Sequence, residues 1–300
     1  MTFETFKSKI TSQLAAELGS DVTIKERRVA KNNNLILDGL VITRQNDFLS
    51  PTIYLNDYYD ACSKRNVPFD DLFADILAQY KSSIPSQDES LRTLSDYEKI
   101  RHRIVFRLVN YEKNAPLLSG CPHIRYLDLA VTFLCLCSIH STNDATIGIK
   151  NEHLNLWGIS ADELYEEAKK NTPKRLPFIL QNIAELLPLL PSGEEPFTPQ
   201  AKDLSFPMFV LSNESRVHGA GCLLYDGVAE HCAEITGGAY YILPSSIHEL
   251  LLIPASATPD PGCLNAMIAE VNRDMLAADE YLSDHAYYYD ENSGIVIPRQ

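Results

Sequence analysis

Residues 244–249 read Pro-Ser-Ser-Ile-His-Glu, which places two hydroxyls, an imidazole and a carboxylate side by side. Nucleophilic catalysis needs a hydroxyl, a base within hydrogen-bond reach and an orienting acid. Ser245, Ser246, His248 and Glu249 are the right residue types for that work. Their spacing is less favourable. On a strand, Ser246 and His248 share one face while Ser245 and Glu249 share the other. On a helical turn Ser245 and Glu249 meet instead. No glycine-flanked elbow is present to expose a nucleophile. The plainer reading is a corner between two strands whose hydroxyls satisfy exposed backbone groups. An enzyme stands as the alternative, either a hydrolase using Ser246 and His248 or a metal-dependent one using a cysteine–histidine set.

A second candidate chemistry is metal binding. Cys121-x-His123 and Cys135-x-Cys137-x-x-His140 supply ligand types that zinc accepts. The spacings differ from the usual C-x2-C knuckle, and Cys135 and Cys137 share an apolar register with Phe133 and Ile139. Cysteine in such a strand is commonly a small buried hydrophobe. His218, Cys222, His231 and Cys232 form a looser set. Gly219-Ala220-Gly221 contains a G-x-G without the third glycine or the following helix that dinucleotide binding requires. Neither a Walker loop nor an H-E-x-x-H motif occurs. No metal site is assigned and no cofactor is expected.

The most binding-like feature is aromatic. Tyr240 and Tyr241 lie in one apolar run and Tyr287, Tyr288 and Tyr289 in another. Adjacent tyrosines in a strand point to opposite faces, so at least one ring is expected outside the core side, where tyrosine favours recognition. The competing reading is a sheet with half-buried tyrosines. Trp157 is read as a core anchor.

These residues need elements to position them. Phe3, Phe6, Ile10, Leu14 and Leu18 recur at helical spacing up to Gly19. Residues 22–30 and 35–43 alternate and are joined by Lys31-Asn32-Asn33-Asn34, which predicts a hairpin, because asparagine tolerates the left-handed backbone of its turn. Residues 56–83 read as helical, with Pro68 and Asp70 near a helix start. A helix over about 90–103 leads into a strand over 104–109, and strands follow over 125–139 and 146–150. Ser160 and Glu163 have capping-box spacing, opening a helix that Pro173 is expected to stop. Pro188, Pro191, Pro196 and Pro199 mark 187–206 as a linker. Beyond it the predicted order is strand 208–211, strand 221–225, helix 228–235, strands 240–243 and 249–253, helix 261–275, and strands 286–289 and 294–297.

Three stretches resemble a known family. They are Ser50-Pro51-Thr52-Ile53-Tyr54-Leu55; residues 127–131 with Asn151-Glu152-His153-Leu154-Asn155-Leu156-Trp157-Gly158-Ile159, 163–165 and Asn171-Thr172-Pro173; and residues 241–249. Together they resemble the bacterial domain-of-unknown-function family numbered fifty-six eighty-eight, over nearly the whole chain. In general layout the chain also resembles a second uncharacterised bacterial family. The resemblance implies a bacterial, cytosolic protein and carries over no catalytic residue.

Composition sets the outer limits. The 300 residues are 45% hydrophobic and 22% charged, enough for a core without disulfides or metals. A formal charge of −14 argues against nucleic acid and anionic membranes as partners. Lys25-Glu26-Arg27-Arg28 and Lys31 read as a solvated strand edge. Residues 1–18 lack the apolar core of a secretory signal, and no apolar run approaches the about eighteen residues of a membrane span. Seven scattered cysteines suit the reducing cytoplasm. The resulting expectation is an α+β protein. Two mixed or antiparallel sheet-bearing halves, 1–190 and 207–300, would have helices packed on their sheets. Its function would be non-catalytic binding of a protein or a small molecule.

Overall fold

A computed structural model describes residues 1–44, 52–83, 94–136, 146–186, 207–257 and 262–298. The fold is α+β, and all paired strands are antiparallel. The chain divides into two compact units, Met1–Leu94 and Ser95–Gln300.

In the first unit, helix α1 (Phe3–Leu18) opens at Thr2, whose hydroxyl accepts from the N–H of Thr5. Strands β1 (Val22–Ala30) and β2 (Ile36–Arg44) form the expected hairpin, with β3 (Thr52–Tyr54) on the far side of β2. Asn33 and Asn34 take φ of 58° and 57° in its turn, the backbone that asparagine tolerates. Helices α2 (Asn56–Lys64) and α3 (Phe69–Ser83) replace the single helical run read from the sequence. Phe6, Ile10 and Leu14 of α1 pack with Leu40, Ile42 and Ile53 of the sheet and with Leu72, Ile76 and Tyr80 of α3. Lys25, Glu26, Arg27 and Arg28 are exposed on β1, an edge strand.

The second unit holds two sheets. Helix α4 (Tyr97–Ile100) and a 3-10 turn lead into β4 (Ile104–Asn110), and α5 (Ala115–Leu118) into β5 (His123–Tyr126). β6 (Leu129–Leu136), fully buried, pairs with β4 on one side and with β5 and β7 (Thr146–Gly148) on the other. Helices α6 (Asn151–Trp157) and α7 (Ala161–Arg175) follow. The capping box forms as read: the Ser160 hydroxyl accepts from the N–H of Glu163, and the Glu163 carboxylate accepts from the N–H of Ser160.

Helix α7 does not stop before Pro173; it runs through it to Arg175. A mid-helix proline removes one hydrogen bond and crowds the preceding turn. Tertiary contacts on both sides hold this turn. The Thr172 hydroxyl donates to the Ala168 carbonyl and accepts from the N–H of Phe106 on β4. Asn171 donates to the carbonyls of Arg101 and Ile104.

The second sheet runs in the order β13-β12-β10-β11-β9-β8. Strand β8 (Phe178–Asn182), absent from the sequence reading, is followed by α8 (Ile183–Leu186). The Pro-rich stretch 187–206 lies outside the described residues. β8 pairs with β9 (Phe209–Asn213) on its other side, so both belong to one sheet within the second unit. Residues 221–225 are not a strand. They fall in a 3-10 turn over Gly219–Leu224, entered by His218 in the left-handed region. Helix α9 (Val228–Thr236) ends at Gly237, whose φ of 82° is the left-handed turn that glycine supplies at a helix end. Strands β10 (Tyr240–Pro244) and β11 (Leu250–Pro254), helix α10 (Gly262–Asp274) and strands β12 (Tyr287–Asp290) and β13 (Gly294–Val296) complete the unit. Helix α10 covers one face of the sheet, packing Leu264 and Ile268 on Leu243, Leu251 and Ile253. On the opposite face Tyr240 donates its hydroxyl to the Ala229 carbonyl of α9.

Candidate functional site

The corner between β10 and β11 is a local turn built from its own side chains. The Ser246 hydroxyl accepts from the backbone N–H of His248 at 3.0 Å, and the Ser246 N–H donates to the Glu249 carbonyl. This is the Ser-type turn that competes with regular structure. The corner is then held from both sides. Ser212 of β9 donates to the His248 carbonyl at 2.8 Å, Ala220 donates to the Ile247 carbonyl, and Ile247 donates to the Glu280 carbonyl.

The approach of residues 218–220 is close enough to need glycine at 219. A Cβ there would lie 2.2 Å from the Ser212 hydroxyl and 2.4 Å from the His248 carbonyl oxygen. Asn213 shapes the preceding loop, donating to the Val217 carbonyl and accepting from the Ser215 hydroxyl and the Val217 N–H. His218 is therefore delivered against His248, with ring centroids 5.7 Å apart and planes 14° apart.

The His248 ring is not aimed at a serine. Its Nδ1 accepts from the N–H of His218 at 3.2 Å, which places the ring proton on Nε2. Nε2 in turn lies 3.7 Å from the Glu280 carboxylate. Burial lowers the His248 pKa, against the opposing pull of Glu280 and Asp279. Burial likewise drives His218 down to about 3, helped by the positive charge of Arg107 and by His248. Both rings are neutral at pH 7. Glu249 is buried, which raises its pKa, while Arg216 and the adjacent Ser245 act to lower it.

Arg107 belongs to no motif in the sequence. It sits in β4 among Val105, Phe106, Leu108 and Val109, all buried. Its Nε donates to the Thr132 hydroxyl at 3.4 Å across the β4–β6 pairing. Among the described residues no carboxylate lies within 4.0 Å of it. A charge in an otherwise apolar strand was the available signal, since such a residue normally demands a partner.

The chain belongs to the DUF5688 family. The model of that family, described as a family of unknown function, matches residues 3–291. Neither the curated proteins nor the solved structures contain a match to the chain.

The remaining candidates of this DUF5688 chain separate in space. His123 pairs with Thr132, so the two share a face of their sheet, and Cys135, three residues beyond Thr132, points to the other face. Cys121 packs beside Val109, Leu118 and Ala130 on the His123 side. Cys137 and His140 lie outside the described residues. Cys222 and Cys232 are buried, and burial pushes both thiols up to about 12. His231 is on the outer side of α9 against the Phe178 ring. Among the described residues, no three His, Cys, Asp or Glu side chains are grouped to hold a metal.

The tyrosines build the sheet interior. Tyr240 and Tyr287 are 0% exposed and Tyr289 is 5% exposed, with Tyr240 stacked on Tyr289 at 5.0 Å. Tyr241 and Tyr288 are half-buried and meet at 5.1 Å on the opposite face. Trp157 is half-buried between Tyr97 and His153. No helix of the described residues is long and apolar enough to cross a membrane.

Proposed function

We propose that this chain is a binding protein that performs no covalent chemistry of its own. One observation carries the reading. The Ser246 hydroxyl is occupied by the His248 backbone N–H, and neither ring nitrogen of His248 faces a serine. A serine nucleophile needs a base that can take its proton in place, and here Nδ1 is already an acceptor for His218. The groups left open to a ligand are instead Arg107 and the outward atoms of the two imidazoles. That arrangement supports a small-molecule partner better than a flat protein surface, because three of the five tyrosines face the interior.

No disulfide links the described cysteines, which supports a cytoplasmic setting. The reading is tested with a panel of activated esters and the Ser246→Ala and His248→Gln variants. The expected result is turnover no faster than buffer, unchanged in both variants. Saturable hydrolysis lost in Ser246→Ala would overturn it.

A further inference from the structure

We propose that Arg107, His218 and His248 line an oxyanion-binding site that takes the phosphate or carboxylate group of a small ligand. The inference rests on the binding reading above and gives it a ligand class.

The first support is the missing counter-charge. A guanidinium withdrawn from water costs several kcal/mol unless an anion or a set of hydrogen bonds compensates it. Arg107 makes one side-chain hydrogen bond, to Thr132, through Nε. Its two Nη atoms have no partner in the protein, yet they are not sealed from solvent. They form the outward half of the fork that grips a carboxylate or phosphate through two parallel bonds.

The second support is independent of Arg107. His218 buries its Nδ1 with no hydrogen-bond partner, while its Nε2 reaches solvent unpaired. His248 has its proton on Nε2, as its Nδ1 contact requires. Two parallel imidazoles thus lie beside a cation, His248 presenting its Nε2–H and His218 its open Nε2, and neither ring carries a charge that would be lost near pH 7. Gly219 fixes this geometry, since any larger residue would push His218 away from His248. The backbone of His218 itself lies in the left-handed region, φ 57°, which is uncommon outside glycine, though histidine is one of the residues that enter it more readily.

Two carboxylates, Glu280 and Asp279, act on His248 and oppose an anion. The Glu280 carboxylate lies 3.7 Å from His248 Nε2 and competes for the same N–H. The ligand therefore displaces Glu280 from His248 or binds on the Arg107 side of it. Either way, neutralising Glu280 strengthens binding. The net charge of −14 gives no long-range attraction for anions, so recognition depends on these local groups.

The test measures thermal unfolding and calorimetric binding of the full chain with sodium phosphate, sodium acetate and sodium chloride at matched ionic strength. Phosphate or acetate is expected to raise the melting temperature above the chloride control. Response to phosphate alone assigns a phosphorylated ligand, and response to acetate alone a carboxylate. Arg107→Met should weaken that binding about tenfold or more, the size of a lost charged hydrogen-bond pair. Glu280→Gln should tighten it. Without oxyanion, Arg107→Met should unfold no earlier than the parent, because it removes a half-buried charge that has no carboxylate partner among the described residues. Equal stabilisation by chloride, or binding undiminished in Arg107→Met, overturns the inference. In that case the non-catalytic reading still stands, because the ester assay alone decides it.

Discussion

Two buried polar regions of the second unit have the same ingredients and opposite states of completion. At Asp128, in the turn between β5 and β6, every strong donor finds its acceptor. Its carboxylate accepts from the Ser283 hydroxyl at 2.6 Å and from the Tyr287 hydroxyl at 2.7 Å. Nearby, Asn110 donates to the Leu282 carbonyl, and the Lys113 ammonium sits 3.1 Å from the centre of the Tyr281 ring. At Arg107 a guanidinium has one hydroxyl, and a facing imidazole has a buried nitrogen with nothing. Satisfied polar networks rigidify a fold, whereas unsatisfied ones cost stability and persist where something else uses them. The difference sets a structural clasp beside the proposed oxyanion site.

The clasp should be the more sensitive to mutation. Asp128→Ala strands the Tyr287 and Ser283 hydroxyls in the interior, and two charge-assisted bonds disappear. At about 1.5–3 kcal/mol per hydrogen bond to a charged group, the loss should be about 3–5 kcal/mol. Urea unfolding of the variant checks it. A loss under 1 kcal/mol would mean that solvent replaces the carboxylate, and the contrast with Arg107 would collapse.

Gly219→Ala should come next, at about 2–3 kcal/mol, the usual cost of forcing a methyl into filled space. The overlap is with a hydroxyl and a backbone carbonyl, and the carbonyl cannot rotate away. This substitution should also abolish any phosphate response while leaving the Asp128 contacts intact. Heteronuclear NMR of the Tyr287 and Ser283 region, compared with that of His218 and His248, would separate the two effects. Equal perturbation of both regions would show that they are one cooperative network.

How much of this was legible in the residues follows from how local each determinant is. The first helix, the asparagine hairpin and the Ser160 capping box depend on neighbours within one turn, and each forms as expected. Pro173 misled because its helix is held by Thr172 and Asn171 against β4, contacts from far along the chain. The Pro-rich run over 187–206 was read as the junction of two halves, yet β8 and β9 on either side of it pair in one sheet. Proline content reports where regular structure pauses and is silent about which strands meet afterwards. The 3-10 turn at 219–224 resembles a strand because residues 219–223 are all buried, without the alternation that identifies an exposed face. Of the site, His218 and His248 were named for the wrong companions, cysteines and serines. Arg107 is visible only as a charge in an apolar strand: Thr132 meets it across the same sheet, while the two histidines near it come from far along the chain.

The smallest predicted effect concerns pH and bears on the Arg107 side alone. His218 has a folded pKa of about 3, lowered first by burial, then by Arg107 and by His248, the groups that face it. Unfolded, it takes up a proton near 6.5. Between those values the unfolded chain holds the extra proton, so acid favours unfolding. The stability is fully present above about pH 6.5 and falls as pH drops toward 3, by at most about 1.4 kcal/mol per pH unit for one proton. His248, also lowered by burial, adds to the same slope. His218→Asn keeps the left-handed backbone, which asparagine tolerates, and removes the titration. Urea midpoints at pH 7, 6, 5 and 4 should therefore fall less steeply in the variant than in the parent, with the curves closest at pH 7. Bound phosphate should flatten the parent curve further if His218 donates to it. Parallel curves for parent and variant would place His218 in water, and with it the open side of the comparison.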